Sequence, residues 1–83
     1  MNIVEITQST ILTKKNTFLV GNSSQPIVIT LTPATKSAGG HYIKNIGSGE
    51  VTVTAYAGDH IDGNDSIVLA QYGSLFIMDY AAT

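Results

Sequence analysis

Hydrophobic and polar residues alternate along most of the chain with a period of two, and Gly, Asn and Ser interrupt the alternation at short intervals. Successive side chains of a β-strand point to opposite faces, so this period predicts strands. No stretch keeps helical spacing over three turns, and the many β-branched residues also favour strands. We therefore predict an all-β domain with strands at about residues 2–7, 10–13, 17–20, 26–32, 41–46, 50–56, 66–70 and 74–79.

The predicted core consists of the apolar residues that share one face of these strands. Short strands at regular spacing, with turn signals between them, are typical of small sandwiches and barrels. We expect a small antiparallel β-sandwich or a jelly-roll-like barrel. Its core residues are Ile27, Ile29, Leu31, Ile43, Ile46, Val51, Val53, Ala55, Ile67, Leu69, Leu75 and Ile77.

The N-terminal segment differs from the rest of the chain. Residues 1–16 contain the pair Lys14-Lys15 and two short β-like runs. We divide the chain into this segment, which forms either the first strands or an N-terminal arm docked on a neighbouring subunit, and a β-sandwich module at residues 17–83.

The last predicted strand is apolar on both faces. An exposed apolar patch usually marks an interface, whereas two apolar faces inside a sandwich would be core, and the sequence leaves both alternatives open. The arm and the far face of the last strand are the candidate contact surfaces. Their residues are Ile3, Val4, Ile6, Phe76, Met78 and Tyr80.

A chain of this size is expected to need a source of stability besides its hydrophobic core. At 83 residues a single domain buries only about 60% of the surface that its unfolded chain exposes. The chain has no cysteine, so disulfides and thiolate metal sites are excluded. Oligomerisation is the remaining common supplement, and we expect self-association.

Charge and hydropathy exclude two classes of partner. The formal net charge is −2, all four basic residues are lysines, and charged residues make up only 12% of the chain. Nucleic-acid binding needs clustered Lys and Arg, so no nucleic-acid partner is expected. No apolar run approaches the roughly 20 residues of a membrane span, and the N-terminus lacks a signal-peptide pattern. No membrane partner is expected either.

The segment "GDHIDGND", residues 58–65, is the strongest candidate for a metal site because it carries three aspartates. Carboxylates are the ligands that calcium prefers, but these acids recur at intervals of three and no glutamate closes the loop. Asp62-Gly63 is also a standard turn pair, and turn chemistry explains the segment better. We expect neither a metal site nor a cofactor.

No catalytic constellation is evident. His41 and His60 lie beside turns, where surface or hydrogen-bonding roles are expected, and a catalytic base would need a nucleophile and an orienting group. Glu5, Glu50 and the aspartates resemble a glycosidase carboxylate set only in composition, since 83 residues of β-structure scarcely provide a substrate cleft. We expect no enzymatic activity and no catalytic residue.

Several short signatures in fixed order resemble a β-module of bacteriophage virion proteins, including tail fibres, tailspikes and small capsid-associated proteins. They are an "ITL-P" strand, a small-residue loop, "IKN-GSG-VTV", "GD-IDG" and a final "GSL" strand, in residues 17–32, 42–54, 58–63 and 73–79. The sequence departs from the pattern with "LTP" at 31–33, where relatives commonly have Leu-Pro directly. The resemblance implies a virion structural protein, commonly a homotrimer, without cofactor or catalytic residues.

A chain that begins with Met and stops at "DYAAT" suggests a small stand-alone capsid component rather than a long fibre. We therefore expect a capsid decoration (cement) protein, made in the host cytoplasm and located on the virion, that binds the major capsid protein or another virion protein. The alternative is a small tail fibre or spike protein that binds host-surface carbohydrate through exposed loop aromatics such as Tyr42, Tyr56 or Tyr72.

Overall fold

In the part of the chain that the structure describes, eight short strands form two four-stranded sheets. A computed structural model describes residues 3–13, 17–32, 40–56, 59–61 and 64–78. The all-β prediction is confirmed, and all eight predicted strands are present with slightly different ends. The strands are β1 Ile3–Ile6, β2 Thr10–Ile11, β3 Thr17–Gly21, β4 Ile27–Thr30, β5 Gly40–Asn45, β6 Val51–Thr54, β7 Ser66–Leu69 and β8 Ser74–Met78.

The chain passes from one sheet to the other at nearly every connection. The first sheet has the strand order β1-β3-β5-β8, and the second has the order β2-β4-β6-β7. Only the connection from β6 to β7 stays within one sheet. We call one strand of the first sheet and the following strand of the second sheet a circuit; β1–β2, β3–β4 and β5–β6 are three such circuits, stacked on one another. β7 and β8 form a fourth circuit, in which the chain passes from the second sheet to the first.

This path corrects the expected antiparallel pairing. Among the described strands, four of the six pairs are parallel, and only β5–β8 and β6–β7 are antiparallel. The turns at 22–26 and 46–50, the first rich in serine and the second in glycine, are short enough for hairpins, but each one joins strands of different sheets. A strand thus meets its sheet neighbour only after a complete circuit, and strands related by a complete circuit run parallel.

The corners of successive circuits are hydrogen-bonded to each other. The N–H of Asn22 donates to the carbonyl of Ile6 at 2.9 Å, and the N–H of Ile46 donates to the carbonyl of Gly21 at 2.8 Å. The N–H of Gly49 donates to the carbonyl of Ser23 at 2.8 Å. The parallel pairing of the strands therefore continues through the turns, which satisfies backbone groups that would otherwise be left without partners.

Both sheets contribute to one core. Its least exposed apolar side chains are Ile29, Ile43, Val51 and Val53, and burying a side chain of this size typically stabilises the fold by about 1.5–3 kcal/mol. The remaining core residues are Leu19, Ile27, Leu31, Ala55, Ile61 and Leu69, with Ile6, Leu12, Ile67, Leu75 and Ile77 partly buried against them.

The core prediction is wrong at one residue, and it omitted two apolar residues that are buried. Ile46 is exposed, because the inward position at the end of β5 belongs to its neighbour Asn45, which is fully buried. Leu19 and Ile61 belong to the core although the sequence pattern did not single them out.

The two strands of the N-terminal segment lie at one edge of the two sheets. β1 pairs with β3, and β2 pairs with β4. Val4 is in register with the buried Leu19, yet 45% of its surface is exposed. The inward side chains of this first circuit are therefore only partly covered, whereas the corresponding side chains of the next two circuits are buried.

Candidate interaction surface

A row of large apolar side chains crosses the outer face of the first sheet. Strand register aligns Ile3 of β1 with Phe18 of β3, Phe18 with Tyr42 of β5, and Tyr42 with Phe76 of β8. Their strand neighbours Leu19 and Ile43 point into the core, so these four side chains point outward. We call Ile3, Phe18, Tyr42 and Phe76 the aromatic row.

The aromatic row is ordered but not covered. The rings of Phe18 and Tyr42 stack, with centroids 5.7 Å apart and planes inclined by 22°. The two ends of the row are the most open, since Ile3 is 71% and Phe76 is 64% exposed. Stacked aromatic pairs across neighbouring strands stabilise a sheet, but the ends of this row have large apolar surfaces in contact with solvent.

A second row on the same face carries opposite charges. Glu5 is in register with Val20, Val20 with Lys44, and Lys44 with Ser74. We call these four residues the charged row. The Glu5 carboxylate accepts a hydrogen bond from the side-chain amide of Asn22 at 3.3 Å. The outer face therefore has an apolar strip beside a strip on which a carboxylate and an ammonium group flank a valine.

The six candidate interface residues do not share one surface. Ile3 and Phe76 belong to the aromatic row, whereas Val4 and Ile6 lie on the inner side of β1, where Ile6 packs against the core. The backbone of Met78 is paired with Gly40, and Tyr80 lies outside the described residues. Ile6 is therefore a core residue at the edge of the sheet rather than an exposed contact.

Sequence reasoning did not identify Phe18 as part of a surface, and it considered Tyr42 only as an exposed loop aromatic. Tyr42 instead lies inside β5. The alternation in "TFLVG" and "GHYIKN" indicated that each residue lies opposite a core position. Their alignment with Ile3 and Phe76 depends on strand register, which the alternation alone does not determine.

The outer face of the second sheet has a different character. Val28, Thr52 and Val68 form one row, and Ile11, Thr30, Thr54 and Ser66 form another. A shallow groove of about 440 Å³ lies at the β2 edge, lined by Ser9, Thr10, Ile11, Val28 and Thr30. The hydroxyl oxygen of Ser9 accepts the N–H of Val28 at 2.9 Å. Hydroxyls and small branched side chains give this face few strong anchor groups for a partner.

The histidines occupy different environments. His41 is buried, and its Nε2 lies 3.3 Å from the hydroxyl oxygen of Thr32. His60 is exposed, and its Nε2 lies 3.6 Å from a carboxylate oxygen of Asp65.

The aspartate-rich segment has only partly described geometry. Asp62 lies outside the described residues, and the N–H of Asp59 donates to the carbonyl of Tyr56 at 2.8 Å, as in a turn. Ile61 and Asn64 exchange two backbone hydrogen bonds. Within the described part of the chain, no three His, Asp or Glu side chains lie close enough together to hold a metal ion. The described ranges also contain no helix of the length and apolar character needed to cross a membrane.

Comparison with known proteins identified no relative of this chain. No protein-family model matches the sequence, and the searches of curated proteins and of solved structures gave no significant match. The aromatic row and the charged row beside it are the features of the described residues that point most directly to a function.

Proposed function

We propose that the chain is a non-enzymatic structural protein of a bacteriophage particle, a capsid decoration protein that packs against neighbouring virion subunits, including the major capsid protein. One observation carries the proposal: an apolar row with two open ends crosses the whole outer face of the first sheet. The sequence resemblance to virion β-modules supports the same role and supplies the particle as its setting.

Burial of the aromatic row would supply the binding free energy. Apolar surface removed from water contributes about 25 cal/mol per Å², and aromatic side chains are the commonest energetic anchors of interfaces. Phe76, which is 64% exposed, has the most to gain of the three rings. A decoration protein that binds the assembled shell but not its separated subunits stabilises the shell by mass action.

The edges of the sheets offer a second kind of contact. β1 and β8 are the edge strands of the first sheet, and an edge strand presents backbone groups that can pair with a strand of another chain. The charge content of 12% is about half of that in ordinary soluble domains. Packing against many neighbours is favoured because fewer charges have to be desolvated.

Binding to particles tests the proposal directly. Purified protein is added to phage shells that lack it, and bound copies are counted by electron microscopy. Occupancy at many symmetry-related positions of the shell supports decoration. Attachment only at a vertex or a tail contradicts decoration and favours a fibre or spike.

Tyr72 favours a second candidate function, binding of host-surface carbohydrate. This tyrosine is 69% exposed in the turn between β7 and β8, and its φ of 69° lies in the left-handed region. A bulky residue in that region is strained, and such strain is often retained where it serves binding. An exposed tyrosine ring offers a flat apolar face on which a sugar ring can stack.

A glycan array separates the two candidates. The whole chain is compared with its Tyr72→Ala variant on immobilised glycans. Binding that is lost in the variant supports a fibre or spike role. The absence of binding to every glycan, together with occupancy of many shell positions, contradicts that role.

A further inference from the structure

We infer that the outer face of the first sheet binds the same face of a second copy of this chain, about a two-fold axis that lies between the two faces, over β3 and parallel to the strands. The inference rests on the proposed function, because it takes packing against neighbours as the role of this face, and it names one neighbour as a second copy. The contact joins two copies and differs from the homotrimer that the sequence resemblance implies.

The charged row is complementary to itself under this rotation. Glu5, Val20 and Lys44 lie side by side on the neighbouring strands β1, β3 and β5. Rotation about an axis over β3 brings β1 of one copy opposite β5 of the other. Glu5 of each copy then faces Lys44 of the other, and the two Val20 side chains meet on the axis. Two opposite-charge contacts flank an apolar one.

The aromatic row is compatible with the same rotation. Phe18 of one copy faces Phe18 of the other on the axis, and Ile3 of each copy faces Tyr42 of the other, because these residues share the register of the charged row. Sheets that pack face to face keep their strands within about 30° of each other at a spacing of about 10 Å. Side chains of phenylalanine and tyrosine size can fill that spacing.

The outer face of the second sheet lacks this complementarity. Its two rows consist of Val28, Thr52 and Val68, and of Ile11, Thr30, Thr54 and Ser66. None of these seven side chains is charged. Opposite charges fix the register and orientation of an interface, so the face of the first sheet is the one that specifies a defined contact.

The area of the face limits the strength of the contact. In this contact β1, β3 and β5 of each copy overlap, and three strands spaced by about 4.8 Å, with about five residues each at a rise of about 3.3 Å, cover roughly 240 Å² in projection. A standard stable interface buries about 800 Å² on each partner. We therefore expect weak, concentration-dependent association rather than a permanent dimer.

Charge reversal tests the arrangement without altering the core. Glu5 and Lys44 of one copy are separated by two strand spacings, about 9–10 Å, so their attraction within the copy is weak. In the contact they face each other directly. Glu5→Lys or Lys44→Glu alone should raise the dissociation constant about tenfold or more, because each creates two like-charge contacts. The double variant Glu5→Lys/Lys44→Glu should restore it.

Sedimentation equilibrium of the whole chain over a wide concentration range gives these constants. Glu5→Lys changes the net charge from −2 to 0, which reduces general repulsion, so weaker association of this variant is diagnostic. Glu50→Lys makes the same charge change in an exposed turn outside the face and should associate like the native chain. A native chain that stays monomeric, or a double variant no better than the single ones, overturns the inference.

Cross-linking locates the axis. The chain contains no cysteine, so Val20→Cys introduces a single thiol that lies on the proposed axis. A short bismaleimide should join two copies of this variant efficiently. Val68→Cys, on the outer face of the second sheet, should not be joined. Equal cross-linking of the two variants indicates random collision and overturns the inference.

The failure of the inference can be distinguished from the failure of the proposed function. A monomeric native chain that still occupies many positions on phage shells overturns the two-copy contact and leaves the function intact. A three-copy species in sedimentation likewise overturns the two-fold arrangement. Restored dimerisation in the double variant, with shells left unoccupied, supports the contact and contradicts the function.

Discussion

The side-chain amide of Asn45 donates a hydrogen bond to the carbonyl oxygen of Leu69 at 3.0 Å, which ties the end of β5 in the first sheet to the end of β7 in the second. The same amide donates to the carbonyl of Gly49 at 2.9 Å, and its oxygen accepts the N–H of Gly47 at 3.0 Å. Asn45 is fully buried. Both of its N–H donors are therefore used. This one buried side chain connects the end of β5, the turn at 46–50 and the end of β7.

Asn45→Asp should lower the free energy of unfolding by about 3–5 kcal/mol. The substitution keeps the shape of the side chain but turns a carboxylate oxygen toward the carbonyls of Gly49 and Leu69, and a buried charge without a partner is strongly destabilising. Urea denaturation measures the loss. Gln71→Glu is the matched control, because Gln71 is exposed and the hydrogen bond that its side-chain amide donates to the carbonyl of Ile46 is longer, at 3.3 Å. Its expected change is within about 0.5 kcal/mol.

Gly49→Ala should lower the free energy of unfolding by about 1–3 kcal/mol through overpacking of the stacked corners. A Cβ at this position would lie 2.5 Å from the carbonyl carbon of Gln25 and 2.9 Å from its nitrogen. Backbone atoms cannot rotate away as a flexible side chain can, so the two turns must separate. Ser48→Ala, at the exposed residue beside it, is the control for an alanine in the same turn, because Ser48 already has a Cβ and the substitution adds no atom near Gln25. Equal denaturation midpoints for the two variants would contradict this close approach of the turns.

Tyr72→Gly should raise the free energy of unfolding by about 0.5–1 kcal/mol. The φ of 69° costs a non-glycine residue about 1–2 kcal/mol, and glycine relieves this cost, although its freer unfolded state offsets part of the gain. Tyr56→Gly is the control, because Tyr56 is also exposed but has no positive φ. That variant should be destabilised. Thermal or urea unfolding that shows the same sign of change for both would argue against strain at Tyr72.

The strands were predictable because their signal is local. In β6 the alternation of Val51 and Val53 with two threonines identifies both the strand and its buried face, and the structure buries both valines. Counted from Ile43, the same rule places Asn45 inward and Ile46 outward, as the structure has them; Ile46 was assigned to the core on its apolar character instead. A buried asparagine is stable only through its three partners, and one of these, Leu69, is 24 residues away in sequence and becomes a neighbour only in the folded chain.

The pairing of the strands and the surface they form were not predictable by the same means. A short turn such as 46–50 can make a hairpin or cross between two sheets, and its composition is similar in both cases. Phe18 and Tyr42 are 24 residues apart in sequence, but stacked in the structure. Their contact follows from parallel pairing after a full circuit, which is a property of the whole path of the chain.

Ile29→Val should lower the free energy of unfolding by about 0.5–1.5 kcal/mol, because Ile29 is fully buried and loses one methylene group from a packed core. Val28→Ala in the same strand removes more carbon but from an exposed position, so its effect should be smaller. Urea denaturation of both variants measures the difference. A larger loss for Val28→Ala would mean that the outer face of the second sheet is covered in solution.

Phe76→Ser should weaken binding to phage shells at least about tenfold while changing the free energy of unfolding by less than about 1 kcal/mol. Phe76 is on the edge strand β8, so in the two-copy contact its ring extends past β1 of the other copy and remains available to the shell. Loss of an aromatic anchor typically costs an interface 2 kcal/mol or more, roughly thirtyfold in affinity.

Val68→Ser is the matched control for this last substitution, because Val68 is a similarly exposed apolar residue on the outer face of the second sheet. Its shell binding should equal that of the native chain. Sedimentation of Phe76→Ser should also show near-native association between copies, since the axis over β3 places Phe76 outside the overlap. If both variants bind shells equally well, the aromatic row is not the shell-binding surface, and the edge strands become the stronger candidate.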